Sequence, residues 1–84
     1  MVRTEKKEDG PMVADVKITD AESFGEAIRK RRRELGYTQA FIADFTGYSV
    51  SFISDLENGK TTAELGKSIR LANILGLDCL LIPR

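Results

Sequence analysis

The sequence predicts an all-α domain of four to five short helices, followed by a short β-strand. Apolar residues recur at helical spacing in four stretches, at about 21–35, 39–46, 50–57 and 62–75. These stretches are separated by residues that commonly start or end helices, mainly threonine, serine, asparagine and glycine. The apolar run at about 78–82 predicts the strand, and β-branched residues make 13–19 a second candidate strand.

Length and composition limit the class of protein. At 84 residues the chain is predicted to form one domain, at 13–84, close to the size below which oligomerisation supplements a single core. Its 13 basic and 13 acidic residues cancel, so net charge does not point to a nucleic-acid partner. With no histidine and one cysteine, the chain lacks the parts of a zinc site or a Cys/His or Ser/His nucleophile. We therefore expect no enzyme activity, metal or cofactor.

The ends of the chain bear on its location. Residues 1–12 are charged and aperiodic, and they predict a disordered arm. DNA contact by this arm is the less favoured alternative, because its acidic residues nearly cancel its basic ones. No secretory signal and no membrane-spanning run are apparent, and Cys79 has no partner for an intrachain disulfide, so the sequence predicts a cytoplasmic protein.

The first helix is expected to begin just after Asp20. Both Thr19 with Glu22 and Ser23 with Glu26 have the spacing of a capping box. The basic run at 29–33 is typical of a nucleic-acid patch, but five consecutive side chains point all round a helix. We expect most of them on a solvated face, with phosphate contact by any one as the alternative.

Residues 38–56 carry the most specific pattern in the chain. Thr38 and Ser49 are placed to cap two helices of about two turns each. Gly47 lies where the chain leaving the first of them needs a positive φ, which glycine adopts without strain. Two short helices joined by a glycine-containing turn form a helix-turn-helix unit.

This unit resembles that of phage repressors and their bacterial relatives, the XRE or Cro/C1 family. The match rests on five residues separated by 4, 4, 6 and 3 positions, namely Gln39, Ala43, Gly47, Ile53 and Leu56. The words YTQ at 37–39 and LENGK at 56–60 match as well, and the resemblance extends over about 24–77. It implies a lambda-repressor-like fold and an inward structural ion pair between Arg32 and Glu57.

The same resemblance implies a DNA-binding face. Side chains near the N-terminus of the second helix of such a unit reach base edges in the major groove. The implied base-reading positions are Val50, Ser51 and Asp55, with Phe52 and Ser54 beside them. The implied phosphate-binding residues are Thr38, Gln39, Ser49, Asn58 and Lys60. The partner would be double-stranded DNA with a pseudo-palindromic operator.

The implied base-reading positions lack the residue types that distinguish best between bases. They carry no arginine, glutamine or asparagine, the residues that make bidentate contacts to guanine or adenine. Val50 can contact a thymine methyl, Ser51 can bond either purine, and Asp55 can accept from cytosine N4 but repels phosphates. We expect modest direct discrimination, with DNA shape supplying part of the rest. The alternative is a scaffold that has lost DNA binding.

Phe41 has two interpretations. It falls where related sequences often carry a polar residue, so it is either exposed to a partner or partly packed under the first helix. The sequence does not decide between them.

The C-terminal third predicts a subunit interface. The fourth helix is expected to start at a cap on Thr61 or Thr62, with an apolar stripe that begins at Leu65. Its second half is apolar on more than one face, and the run after it would be an exposed edge strand if left alone. Pairing with its symmetry mate, or with 16–18, would close a dimer. The expected interface residues are Leu71, Ile74, Leu77, Cys79, Leu80, Leu81 and Ile82.

A helix followed directly by this short apolar strand resembles the ending of the HipB-like antitoxins. That resemblance implies a bacterial homodimeric autorepressor that binds an operator ahead of its own operon, and a HipA-like kinase toxin as a further partner. Two functions stay open. One is a sequence-specific DNA-binding repressor; the other is a protein-binding antitoxin module whose DNA binding is weak or secondary.

Overall fold

The computed structural model describes residues 15–84 and is all-α in that range. Its four helices are α1 (Ala21–Glu34), α2 (Gln39–Thr46), α3 (Val50–Glu57) and α4 (Leu65–Ile74). The predicted all-α fold is thereby confirmed. The predicted disordered arm at 1–12 and the first two residues of the candidate strand at 13–19 lie outside the described residues. Within 15–84, no helix has the length and apolar character needed to cross a membrane.

Side-chain caps set the starts of the first three helices. At α1 the Asp20 carboxylate accepts from the Ser23 N–H at 2.8 Å, and the Ser23 hydroxyl accepts from the Asp20 N–H at 3.1 Å. The capping box is therefore formed by Asp20 and Ser23, and neither Glu22 nor Glu26 takes part in it. Thr38 Oγ1 caps α2 through the Phe41 N–H at 3.0 Å, and Ser49 Oγ caps α3 through the Phe52 N–H at 2.9 Å.

The start of α4 differs from the prediction. Neither Thr61 nor Thr62 caps it, because residues 61–63 form a turn instead. The cap is Glu64, whose Oε1 accepts from the Lys67 N–H at 2.9 Å. A carboxylate satisfies a free N–H there and also meets the positive end of the helix dipole. The helix therefore begins three residues later than expected.

Side chains from all four helices form the core. Its seven buried apolar residues are Ile28, Ile42, Ile53, Leu56, Leu71, Ala72 and Leu75. Assigning Leu71 to a dimer interface was wrong, because its side chain is 0% exposed within a single chain. Leu65, the first residue of the predicted apolar stripe, is 69% exposed at the first turn of α4. The inner face of α4 is the one carrying Leu71, Ala72 and Leu75.

Three aromatic side chains lie on the outer surface of α2 and of the segment just before it. The rings of Tyr37 and Phe41 stack with centroids 5.0 Å apart, and those of Phe41 and Phe45 stack at 6.4 Å. All three are exposed, Phe45 the most at 67%. Phe41 is therefore exposed on the surface rather than packed under α1.

The C-terminal segment leaves most of its apolar side chains in solvent. Leu77 is partly buried against the core, whereas Leu80, Leu81 and Ile82 are 73%, 100% and 75% exposed. The predicted strand at 78–82 does not form in this single chain, whose described residues contain no strand. A strand requires a neighbouring backbone edge, and residues 15–19 do not pair with it.

Candidate nucleic-acid interface

The N-terminal end of α3 presents the predicted base-reading residues to solvent. Val50 is 44% exposed and Ser51 is exposed as well. Phe52 and Ser54 are half-buried, and Phe52 packs against the core. Asp55, one turn further on, is half-buried too. An exposed helix N-terminus of this kind has the shape that fits a major groove.

The predicted phosphate-binding hydroxyls already accept one hydrogen bond each. Thr38 and Ser49 use an oxygen lone pair for the caps of α2 and α3. The O–H of each group can still donate, because accepting a bond leaves the hydroxyl proton free. Both residues are exposed, so capping the helix and donating to a phosphate are compatible.

The C-terminal end of α3 carries a buried polar cluster, here called the Glu57 cluster, made of Arg29, Arg32, Gln39 and Glu57. Arg32 donates through Nε to Glu57 Oε2 at 2.6 Å and through Nη2 to Oε1 at 2.9 Å. Gln39 Nε2 donates to Oε1 at 3.0 Å, and Arg29 Nε approaches the same oxygen at 3.4 Å. The Glu57 side chain is completely buried and that of Arg32 nearly so.

The Glu57 cluster holds its carboxyl group ionised. Burial alone raises the pKa of Glu57, because it penalises the charged form. Hydrogen bonds from Arg32 and Gln39 and the charge of Arg32 outweigh that effect, so the pKa lies below its ordinary value. The ion pair that the family resemblance implied is thus a bidentate, buried contact that ties α1 to the end of α3.

Gln39 connects this cluster to the exposed face. One N–H of its side-chain amide goes to Glu57, and an amide nitrogen carries two. The second N–H and the amide oxygen remain for other partners. The cluster therefore fixes the position of a side chain that was predicted to bind phosphate.

Arg29 and Arg31 of the basic run also bind oxygens outside the Glu57 carboxylate. Arg29 Nη2 donates to Asn58 Oδ1 at 2.6 Å, next to the end of α3. Arg31 Nε donates to the Leu75 carbonyl at 2.8 Å, at the end of α4. The expectation that most of the run lies on a solvated face was therefore wrong for Arg29 and Arg31, and it holds for Lys30 and Arg33, which are exposed.

Two residues predicted to contact DNA also contact each other. Lys60 Nζ lies 3.3 Å from Asp55 Oδ2, and both side chains are about half exposed. The pair is reinforced by the Lys60 N–H, which donates to the Asp55 carbonyl at 3.0 Å. It partly neutralises the one acidic side chain on the exposed face of α3.

Gly25, which the sequence did not single out, sets the close approach of α1 and α3. A Cβ at this position would collide with the carbonyl oxygens of Leu56 and Glu57. The signal was present, because a glycine inside a helix costs about 1 kcal/mol relative to alanine and so indicates a packing requirement. The contact brings α1 close enough for Arg29 and Arg32 to reach Glu57.

Known proteins match this chain in sequence. The helix-turn-helix family model HTH_3 matches residues 28–82. YonR, an SPbeta prophage-derived uncharacterized HTH-type transcriptional regulator of Bacillus subtilis, is 39% identical over 55 residues, which are 66% of this chain and 51% of YonR. The uncharacterized HTH-type transcriptional regulator y4mF of Sinorhizobium fredii is 35% identical over 60 residues, 71% of this chain and 79% of y4mF. The chain thus spans about half the length of YonR.

Solved structures match the fold. A complex of a HipB variant with an O2 20mer superposes with a TM-score of 0.76 at 26% identity, covering 83% of this chain and 97% of HipB. HipB in complex with an O4 20mer gives a TM-score of 0.72 at 25% identity, covering 80% of this chain and 94% of that one. The XRE-type family and the HipB-like fold predicted from the sequence are both confirmed. The chain belongs to the helix-turn-helix (HTH_3) family of transcriptional regulators.

Proposed function

We propose that this protein is a sequence-specific DNA-binding repressor that acts as a homodimer and controls its own toxin–antitoxin operon. The observation that supports DNA binding most is the contrast between the two ends of α3. Its N-terminal end presents Val50 and Ser51 to solvent, while its C-terminal end is fixed by the buried Glu57 cluster. The HipB neighbours were solved in complexes with DNA 20mers, which supports DNA binding here.

The dimer is proposed from the C-terminal segment. Leu80, Leu81 and Ile82 are three consecutive apolar residues, each at least 73% exposed. Such a run on an isolated extended segment favours association with another edge. Pairing with the same segment of a second copy would bury these side chains and place two α3 helices on one duplex. Half-sites about 34 Å apart, one helical turn of DNA, would then suit the pair.

A second candidate is a protein-binding antitoxin that neutralises a HipA-like kinase toxin, with DNA binding weak or secondary. The exposed face of α3 favours it in one respect. Asp55 brings negative charge to that face, and Lys60, a predicted phosphate ligand, is already paired with it. The balanced charge of the chain adds no general attraction for DNA.

Fluorescence anisotropy tests DNA binding directly. The purified protein is titrated onto labelled DNA from upstream of its own gene and onto a scrambled duplex, at low and at physiological salt. We expect tight binding that weakens steeply with salt, because phosphate contacts release counterions, and a strong preference for the native fragment. Weak and equal binding to both duplexes would favour the protein-binding antitoxin.

Variants assign the binding to α3. Val50→Ala combined with Ser51→Ala should remove the preference for the native fragment while leaving the melting temperature and any toxin complex intact. Leu35→Ala is the matched control, because Leu35 is 37% exposed in the connection between α1 and α2. Loss of both DNA binding and toxin binding in the double variant would show that Val50 and Ser51 do not lie on a surface used for DNA alone.

Oligomeric state is measured separately. Sedimentation of the intact chain should give the mass of a dimer, and Leu81→Asp should shift it toward the monomer. Arg84→Gln, which changes the net charge by the same amount three residues later, is the control. A dimer unchanged by Leu81→Asp would place the interface elsewhere.

A further inference from the structure

Two basic side chains of α4 lie against the aromatic residues that flank the start of α3. Lys67 Nζ is 5.5 Å from the ring centroids of both Tyr48 and Phe52. The Arg70 guanidinium carbon is 5.8 Å from the centroid of Tyr48, and Arg70 Nη1 donates to the Tyr48 hydroxyl at 3.2 Å. The two rings meet edge to face, 5.4 Å apart. We call these four residues the aromatic–basic cluster.

The positive charges of this cluster are held in place without being neutralised. Both Lys67 and Arg70 are exposed. Within residues 15–84, all ion pairs formed at 4.0 Å or less involve other cations. The attraction between a cation and the face of an aromatic ring orders the side chain while its charge remains available.

The cluster lies beside the N-terminal end of α3. Tyr48 directly precedes Ser49, the cap of α3, and Phe52 lies in the first turn. The Ser49 side chain accepts from one of the first N–H groups of α3, that of Phe52. The first N–H groups of any helix have no acceptor within the helix, so the others remain available to a ligand. These N–H groups and the two cations attract the same kind of ligand, an anionic oxygen.

We infer that Lys67 and Arg70 bind the DNA backbone, one phosphate each, on the flank of α3, and that Tyr48 and Phe52 position them. This inference rests on the proposed DNA-binding function and extends its contact surface from α3 to α4. Backbone contacts carry no sequence information directly, so these residues add affinity without adding preference. They supply local positive charge in a chain whose net charge is zero.

The observations favour a nucleic-acid backbone over an acidic protein surface. An evenly charged polymer beside α3 would meet the cluster and the exposed α3 terminus at once, because they are contiguous through Tyr48 and Ser49. A protein partner with acidic side chains would have no requirement for that continuity.

The test is a salt titration of DNA affinity for Lys67→Gln and Arg70→Gln. Each variant should make the fall of log K with log salt less steep by about 0.9. That is the value for one lost phosphate contact on B-DNA. Affinity should fall by the same factor on the native and the scrambled fragment, so that the preference is unchanged. Lys30→Gln is the control, an exposed lysine on α1, and it should leave the slope at the wild-type value.

Tyr48→Phe tests the positioning role. It removes the hydroxyl that accepts from Arg70 but keeps the ring beneath Lys67. We expect a smaller loss of affinity than in Arg70→Gln, with an unchanged melting temperature. Equal affinities for Tyr48→Phe and wild type would show that the hydroxyl does not position Arg70.

The outcomes also separate this inference from the proposed function. If the wild type binds DNA and the glutamine variants keep its salt slope, the cluster does not contact phosphates and only this inference fails. If the wild type does not bind DNA at all, both fail. A loss confined to the native fragment would mean that Lys67 or Arg70 reads bases, which also overturns the inference.

Discussion

The two ends of α3 differ in almost every physical respect. At the C-terminal end, Leu56 and Glu57 are 4% and 2% exposed, and the carboxylate is bound by side chains from two other helices. At the N-terminal end, Val50 is 44% exposed, and Ser49 bonds only within its own helix. The difference shows how a helix of eight residues can be held rigidly and still present a free end.

The C-terminal end of α3 can bury the charge of Glu57 because both carboxylate oxygens are hydrogen-bonded. Removing a carboxylate from water costs several kcal/mol unless hydrogen bonds and an opposite charge replace the lost hydration. Glu57 receives bonds on both oxygens, and the buried side-chain polar atoms within 15–84 all have partners. Breaking that arrangement from one side should therefore have the largest effect in the molecule.

Arg32→Met is predicted to lower the free energy of unfolding by about 3–5 kcal/mol, because it leaves the Glu57 charge buried without its main partner. Urea unfolding followed by circular dichroism measures the change. Arg33→Met, the same substitution at the exposed neighbour, should alter stability by no more than about 0.5 kcal/mol. Similar stability of Arg32→Met and wild type would mean that the cluster does not hold α3.

Acidification should weaken the same end of α3. The folded-state pKa of Glu57 lies below its reference value of 4.5, so its contribution is fully present above about pH 4.5. That contribution is lost as the pH falls through the folded-state pKa. Urea unfolding of wild type and Glu57→Gln is measured across this pH range. The difference between their free energies of unfolding should decrease as the pH falls. The other carboxylates are present in both proteins and cancel in this difference. A difference that does not change with pH would show that ionisation of Glu57 is not its cause.

Ser49→Ala tests the exposed end. Loss of the cap on the Phe52 N–H should cost about 1 kcal/mol of stability, less than the loss of the buried pair. Thermal melts measure it, with Ser51→Ala, two residues further on and outside the cap, as the control. If the two alanine variants melted alike, the Ser49 hydroxyl would not stabilise α3.

Asp55→Asn should have the smallest effect on stability, within about 1 kcal/mol, since its pair with Lys60 is solvent-exposed. The same change should raise affinity for DNA, because it removes a negative charge and releases Lys60. Anisotropy measures the affinity, and Asp44→Asn on the exposed side of α2 is the control. Weaker binding to the native fragment alone would instead identify Asp55 as a base-reading residue.

Local chemistry was predictable from the sequence. Thr38, Gly47 and Ser49 act within three or four residues of their own positions, so their caps and the bend follow from residue type and spacing. Gly47 has the positive φ of 82° that the turn requires. The family pattern then supplied the Arg32–Glu57 pair, which no local rule would have found.

Tertiary chemistry was less accessible. The interior position of Leu71 depends on how α4 is rotated about its axis, and several apolar faces of that helix were compatible with the sequence alone. Arg31 binds a carbonyl 44 residues away, a contact that spacing along one helix cannot indicate. The late start of α4 followed from competition between two threonines and Glu64 for the cap, which propensities do not resolve.

The separation of the two ends of α3 has an evolutionary consequence. Under the DNA-binding role proposed above, substitutions at Val50 or Ser51 would change what the helix recognises without touching a core residue, so such variants should still fold. Arg32, Gln39 and Glu57 would be constrained by the fold, whereas the two exposed positions would be free to vary with the target.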